Sequence, residues 1–311
     1  MSIVHQSIER LREEVRKNNA LEAATNVDRR PVEESGTADS SAAEVNSNRT
    51  IALNRDRLGE VGLLPGSDSL SMCAAQFRVV KQDLLRYCRT APAEGMPPRL
   101  IMIGSALSGD GKSFTSMNLA MSMASERDCD VLLIDGDVSK RHLTSSLDMS
   151  KDPGLLDVLR DPSRTFSSAI YPTELPRLFF MPSGQWSEDA SELIASDRMR
   201  ELALDVFSRH PRRVAIIDSS PILMTPDARA IATLVGQIVL VVSAGNSLQA
   251  NVSQAVELVQ GSNRRTILVL NRMIRNRMLD AFYGYGYGYG YGYGDTKDDA
   301  ANATKVTAAS P

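Results

Sequence analysis

The chain has 311 residues, of which 42% are hydrophobic and 23% are charged, which is ordinary for a soluble protein with one sizeable domain and tails, or with two small domains. The formal net charge of −3 gives no electrostatic reason to expect nucleic acid as a partner. No apolar run approaches the ~20 residues of a membrane span, and the charged N-terminus is unlike a secretory signal, so we expect a cytoplasmic protein.

The first 70 residues predict a helix followed by a linker. Apolar residues at heptad-like spacing, with Arg and Glu between them, predict an amphipathic helix within residues 1–25. These apolar residues are Val4, Ile8, Leu11 and Val15. The helix either folds back on the domain or docks a partner, and both interpretations stay open. Residues 26–70 are rich in Ser, Asn, Asp, Glu and Gly with few aromatics, which predicts a disordered linker.

A folded domain is predicted over residues 71–275, beginning with a helix at residues 76–86. Apolar runs typical of buried strands follow at Leu100–Ile103, Val131–Ile134, Leu178–Met181, Val214–Ile217, Ile238–Val242 and Ile267–Leu270. Helical patterns lie between them at Ser113–Glu126, Ala190–Ser208, Pro226–Val235 and Gln249–Gln260. This alternation predicts an α/β fold with a doubly wound, mainly parallel sheet. Ligands of such sheets bind beyond the carboxyl ends of the strands.

A glycine-rich loop follows the first predicted strand and ends in Gly111-Lys112-Ser113, where a helix begins. The phosphate-loop pattern asks for Gly, four residues and Gly-Lys-Ser/Thr, and Ala106 stands in place of its first glycine. Lys112 would reach the β- and γ-phosphates of ATP, and the Ser113 hydroxyl would bind Mg²⁺. The alternative is a chance glycine-rich turn. We expect the nucleotide to contact Ser108, Gly109, Asp110, Gly111, Lys112, Ser113 and Phe114.

Carboxylates end two of the predicted strands. Asp135 and Asp137 follow the second strand and would hold hydrated Mg²⁺ or accept a proton from an attacking hydroxyl, the alternative being a helix cap. Asp218 ends a later strand and is the expected magnesium-side carboxylate, so that Ser113, Asp135 and Asp218 are the candidate metal ligands. Asn271 follows the last strand and would either contact a purine edge or occupy a turn.

The C-terminal segment, residues 276–311, contains six tyrosines that alternate with glycines. Glycine supplies no side chain to pack and loses much entropy on ordering, so we expect a flexible tail that presents phenol hydroxyls to solvent. A phosphate loop and a row of phosphate acceptors in one chain suggest that the first acts on the second. The candidate acceptors are Tyr283, Tyr285, Tyr287, Tyr289, Tyr291 and Tyr293.

With these motifs the chain resembles the bacterial tyrosine kinases (BY-kinases), and among them the stand-alone cytoplasmic autokinases of exopolysaccharide and exosortase loci. The resemblance lies in residues 76–82, 105–120, 131–137, 154–159, 192–196, 216–221, 235–237 and 268–271, and in the tail. It implies a P-loop ATPase type of fold, ATP and Mg²⁺ as cofactors, and autophosphorylation of the tail. It also implies catalytic roles for Lys112, Asp135, Asp137 and Asp218, and a base-contacting role for Asn271.

The resemblance further implies partners and a location. A membrane polysaccharide co-polymerase would contact the kinase through its cytoplasmic tail, a cognate tyrosine phosphatase would reverse the reaction, and the chain would self-associate. The protein would then lie in the cytoplasm, held at the inner membrane by its partner, and would regulate exopolysaccharide polymerisation and export.

Some positions depart from the family pattern. The basic residue after the aspartate pair is displaced by one position in Val138-Ser139-Lys140-Arg141, and Ser219-Ser220-Pro221 stands where Thr-Pro-Pro or Ser-Pro-Pro is commoner. The oligomerisation motif Glu-x-x-Arg-x-x-Arg is reduced to Ala75-x-x-Arg78-x-x-Lys81, which leaves the oligomer size open.

Two other functions are compatible with the phosphate loop. One is a nucleotide-driven dimerisation switch like the partition and division-site ATPases, although those proteins usually carry a lysine early in the loop, and residues 105–108 contain none. The other is a degenerate ATPase scaffold that carries an adhesive Tyr-Gly repeat.

Overall fold

The structure is a computed structural model that describes residues 49–89, 97–208, 210–260 and 265–273. Within these residues seven strands form one sheet in the order β3-β4-β2-β5-β1-β6-β7. The strands are β1 Leu100–Ser105, β2 Asp130–Gly136, β3 Tyr171–Pro172, β4 Leu178–Met181, β5 Arg213–Ser219, β6 Gln237–Ser243 and β7 Arg265–Asn271. Neighbouring strands pair in parallel except β3, which is antiparallel to β4.

Helices cover both faces of the sheet. They are α1 Arg55–Glu60, α2 Leu70–Cys88, α3 Lys112–Ala124, α4 His142–Ser146, α5 Leu155–Arg160, α6 Ala190–Ile194, α7 Asp197–Ser208, α8 Pro226–Ala232 and α9 Gln249–Val259. Alternate residues of a strand point to opposite faces. Accordingly Ile101 and Ile103 of β1 lie in a core with α1, α2 and α3, whereas Met102 lies in a second core with α5 to α9. The predicted doubly wound, mainly parallel α/β fold is confirmed.

All six predicted strands are present: β4 has the predicted bounds, and each of the other five lies within a slightly longer observed strand. The predicted helix Ala190–Ser208 is two helices, since α6 ends at Ile194 and α7 begins at Asp197. The short strand β3 and the short helices α1, α4 and α5 were not predicted, because elements of two to six residues are too short to show a period.

The predicted linker, residues 26–70, is wrong over its last part. Residues 49–70 pack on the domain, where Ile51, Leu58 and Leu63 are 3%, 1% and 1% exposed. Ile51 forms a parallel bridge to Thr173, beside the β3 edge of the sheet. The segment is polar in composition, which predicted disorder, but it contains a few well-spaced apolar side chains that are buried in the domain. Residues 26–48 lie outside the described residues, as does the predicted helix within residues 1–25.

The strand order gathers the carboxyl ends of β2, β5 and β1 at the middle of one edge of the sheet. In the described part of the chain, none of the helices combines the length and the apolar character needed to cross a bilayer.

Candidate nucleotide-binding site

The loop between β1 and α3 has the backbone of an anion cradle. Gly109 and Gly111 have φ values of +91° and +96°, which L side chains rarely adopt. Lys112 is the first residue of α3 and is 7% exposed, so it lies at the positive end of the helix dipole. Phe114 packs its ring near that of Phe77, with 6.1 Å between the centroids, and its predicted nucleotide contact stays a prediction. The local geometry supports phosphate binding.

Asp218, at the end of β5, is fixed by hydroxyls from α3. Ser113 Oγ donates to one carboxylate oxygen at 2.6 Å, and Ser116 Oγ donates to the other at 2.9 Å. The carboxylate is 1% exposed, and burial raises its pKa to about 6 although Ser113 and the charge of Lys112 lower it. The structure thus joins two predicted magnesium ligands, Ser113 and Asp218, directly.

Asp135, at the end of β2, lies opposite Asp218 in the parallel register of β2 and β5. Its Oδ2 accepts hydrogen bonds from the backbone N–H and the hydroxyl of Thr144, at 2.8 and 2.6 Å. Its Oδ1 is buried and has no hydrogen-bond partner among the described residues. Burial, and next the charge of Asp218, raise the pKa of Asp135 to about 7. The two neighbouring buried carboxylates give this part of the site a strongly negative electrostatic potential.

Asp137, two residues after Asp135, is 4% exposed. Its Oδ1 accepts hydrogen bonds from Ser220 Oγ at 3.0 Å and from the backbone N–H of Lys140 at 3.2 Å. The Lys140 side chain reaches the phosphate loop, where its Nζ donates to Ser108 Oγ at 3.0 Å. The basic residue displaced along the sequence therefore still lies beside the loop.

Asn271, at the end of β7, supports the loop from the other side. Its Nδ2 donates to the backbone oxygen of Asp110 at 3.0 Å, and Ser247 Oγ donates to Asp110 Oδ1 at 2.8 Å. A pocket opens here between residues 106–110, residues 246–248, Asn251 and Arg272. The predicted contact of Asn271 with a purine edge stays a prediction, since in this structure its amide N–H group is bonded to the loop.

The donor set fits Mg²⁺. Ser113, Asp135 and Asp218 offer hard oxygen ligands, and the unpartnered Asp135 Oδ1 is a buried acceptor without a donor among the described residues. No group of three His, Cys, Asp or Glu side chains in the described ranges forms a ready protein cage for a metal ion. Mg²⁺ rarely uses such a cage, because it keeps several waters and binds substrate phosphates with one or two carboxylates.

Sequence reasoning missed the polar groups that orient the aspartates. Ser116 is three residues after Ser113 and therefore on the same helix face, which is a signal that could have found it. Thr144 and Ser220 carry no such signal, because their roles depend on how α4 and the loop after β5 return to the site. The six tail tyrosines lie outside the described residues.

The chain matches no protein-family profile. It is 31% identical over 184 residues to EpsB of Ralstonia solanacearum, an alignment that covers 58% of this chain and 24% of EpsB, so that the chain spans about a quarter of that relative. It is 30% identical over 204 residues to the tyrosine-protein kinase YwqD of Bacillus subtilis, covering 66% of this chain and 82% of YwqD. The solved VpsO kinase domain superposes with a TM-score of 0.56 at 28% identity, covering 65% of this chain and 96% of that domain.

Proposed function

The chain belongs to the family of bacterial tyrosine-protein kinases, and from this membership we propose that it transfers the γ-phosphoryl group of ATP to the tyrosines of its own C-terminal repeat. The observation that carries the proposal is the cluster of Ser113, Asp135 and Asp218. Ser113 donates a hydrogen bond of 2.6 Å to Asp218, and the strand register places Asp135 opposite Asp218. Such a cluster beside a phosphate loop suits phosphoryl transfer.

ATP would bind with its phosphates in the loop and its nucleoside toward the pocket near Asn251 and Arg272. Ser113 and Asp218 would hold Mg²⁺ with help from Asp135, and the bound ion would neutralise charge on the phosphates. Lys112 and the N–H groups at the start of α3 would stabilise charge on the γ-phosphoryl oxygens.

The transfer itself joins the phenol oxygen of a tail tyrosine to the γ-phosphorus. The bond from that phosphorus to the β–γ bridging oxygen breaks, and ADP leaves with the electron pair. The phenol proton passes to a carboxylate, which is useful because a free tyrosine has a pKa near 10. We assign this role to Asp137, because it is 4% exposed and accepts from the backbone N–H of the exposed Lys140, whereas Asp135 is 0% exposed and lies opposite Asp218.

We assign the reaction to exopolysaccharide or capsule polymerisation and export by analogy with the family. A membrane co-polymerase would activate the kinase through its cytoplasmic tail and would hold it at the inner membrane, and a tyrosine phosphatase would reset it. Residues 1–25 are the segment of this chain that we propose for the co-polymerase contact. Self-association is proposed as well, since transfer between neighbouring copies would then be efficient.

The direct test is incubation of the full chain with Mg²⁺ and ATP, with and without the cytoplasmic tail of a co-polymerase, followed by mass spectrometry of residues 276–311. We expect phosphate on the repeat tyrosines, and we expect Lys112→Met to abolish it. The matched control is Lys151→Met, because Lys151 is an exposed lysine outside the site and its loss should leave labelling intact.

Two outcomes would contradict the proposal. If the unaltered chain hydrolyses ATP but leaves all six tyrosines unmodified, a nucleotide switch of the partition type describes it better. If Lys112→Met keeps tail labelling, the phosphate comes from another enzyme.

A further inference from the structure

Two exposed apolar side chains border the phosphate loop, and we call Leu107 and Met224 the apolar lip. They are 38% and 61% exposed. The segment after β5 runs along the loop, since Ile222 N–H donates to the Ser105 oxygen at 2.9 Å and Leu223 N–H donates to the Ala106 oxygen at 3.3 Å. Met224 Sδ accepts a contact from Ser108 Oγ at 3.7 Å. The lip is therefore part of the rim of the site.

Leu107 also lines the pocket proposed for the nucleoside, so Met224 is the apolar side chain of the rim that the nucleotide leaves unexplained. Phosphates call for N–H groups and cations, and the neighbours of Ser108 include Lys140, whose backbone N–H is bonded to Asp137. A methionine that is 61% exposed and contacts the phosphate loop at Ser108 suits a molecule with an apolar body and a polar tip. A tyrosine ring has this character, and its hydroxyl would extend beyond the ring toward the γ-phosphoryl position.

The chain itself supplies such rings close by. The described part ends at Met273, two residues after Asn271, whose amide is bonded to Asp110 of the phosphate loop. The last described residues thus lie at the edge of the sheet that carries the site. Tyr283 is ten residues further on, which is at most ~35 Å of extended chain. The repeat is thus joined to the site by a short connection, and the acceptor tyrosine would come from the same copy or from a neighbouring one.

We propose that the apolar lip is the docking surface for the tyrosine rings of the Tyr-Gly repeat, an inference that rests on the proposed function. Sulfur–ring contact at Met224 and apolar contact at Leu107 would hold the ring, while the glycine that follows each tyrosine would let the backbone come close without a clash. Because every tyrosine of the repeat has glycine after it, one lip would serve successive acceptors. Serine and threonine lack the ring and would not be held.

Binding is tested with the full chain in which the six repeat tyrosines are changed to serine, so that its own rings do not compete. The probe is a fluorescein-labelled peptide of residues 283–294, titrated in the presence of ADP and Mg²⁺. We expect Met224→Ser to weaken peptide binding about threefold to tenfold, the range of a sulfur–ring contact. Met224→Leu keeps an apolar surface and should stay within about twofold of the parent. Leu204→Ser removes an exposed leucine on α7, which is 54% exposed against 61% for Met224, and should leave peptide binding unchanged.

Phosphate transfer from ATP to the same peptide gives the second measurement. We expect Met224→Ser to raise KM for the peptide while kcat is retained, because the lip holds the acceptor and does no chemistry. If the parent transfers phosphate but neither binding nor KM responds to Met224→Ser, the docking proposal is wrong. If the peptide binds through Met224 but no phosphate is transferred, docking stands and the proposed kinase function fails. If Met224→Ser lowers only self-association of the chain, the lip is an interface between copies and the inference is overturned.

Discussion

At the scale of single residues, the decisive feature is the burial of Asp135 beside Asp218. The pKa of Asp135 is raised to about 7, and that of Asp218 to about 6. A carboxyl whose folded pKa lies above its unfolded value favours the folded state below about pH 4 and loses that contribution as the pH rises to about 7. In the absence of Mg²⁺ and nucleotide, stability should therefore fall across this window.

Replacing Asp135 by asparagine should stabilise the nucleotide-free protein. Asparagine keeps an oxygen for the two Thr144 donors but removes the charge. Urea unfolding at pH 8 in EDTA should show a gain of about 1–4 kcal/mol, and the gain should shrink toward pH 5. Asp161→Asn is the control, because a hydrogen bond from Ser163 lowers the pKa of Asp161 and its loss should bring no gain. A gain that is the same at both pH values would contradict the electrostatic explanation.

Gly111 is the second residue at which a single substitution should have a large effect. Its φ is +96°, and a Cβ built there would collide with Nδ2 of Asn271. Gly111→Ala should destabilise the protein by about 1–3 kcal/mol and weaken nucleotide binding, because both strain and the collision act on the loop. Asn271→Ala removes the collision but not the strain. Unfolding of the single and double variants should show that the double variant loses less stability than the sum of the singles; simple additivity would argue against a contact between the two positions.

At the scale of elements, the segment 49–64 is part of the domain. Leu58 of α1 is 1% exposed, and Asn118 of α3 donates to the Leu63 oxygen at 2.9 Å.

Two ion pairs also join this segment to the rest of the domain at its surface. Arg57 pairs with Asp148, with 2.7 Å between Nη2 and Oδ1, and Arg49 pairs with Asp152 at 2.6 Å. The exposed ion pairs add little, so the buried leucines hold the segment.

Leu58→Ala should lower the free energy of unfolding by about 2–5 kcal/mol through the cavity it leaves. Val61→Ala is the matched control in the same segment, since Val61 is 38% exposed and its truncation should stay within about 0.5 kcal/mol. Denaturant unfolding checks both. Equal and small effects would mean that the segment behaves as the linker that its composition suggests.

The reduced oligomerisation motif, Ala75-x-x-Arg78-x-x-Lys81, lies on helix α2. Lys81 of α2 is 6% exposed, donates to the Ser122 oxygen at 3.1 Å and pairs with Glu126 at 2.7 Å. Its charge is thus used inside the domain, in the contact with α3. Arg78, by contrast, is exposed, and so is Val79 at 62%. Self-association through α2 would have to use this outer face.

At the scale of the whole molecule, the tail would change the charge of the protein. Each phosphate adds about −1.5 to −2 charges, so six would add roughly −9 to −12 to a chain whose formal net charge is −3. Repulsion between modified tails should weaken any self-association. Sedimentation velocity of the unmodified and ATP-treated chain at 50 and 500 mM salt should show dissociation by phosphate at low salt and a smaller effect at high salt. Dissociation of equal extent at both salts would point to a steric cause.

The sequence alone determined the features that depend on short, continuous stretches of residues. The loop from Ser108 to Ser113, the aspartates at the ends of β2 and β5 and the two-sided parallel sheet follow from motifs and periods that need no distant contact. Only the tertiary structure decided that Asp135 faces Asp218, that Thr144 and Ser220 orient the aspartates, and that Met224 borders the loop. It also decided that residues 49–70 belong to the domain. These facts depend on strand register and on long-range packing, and a sparse set of buried side chains has no period along the chain by which it could be recognised.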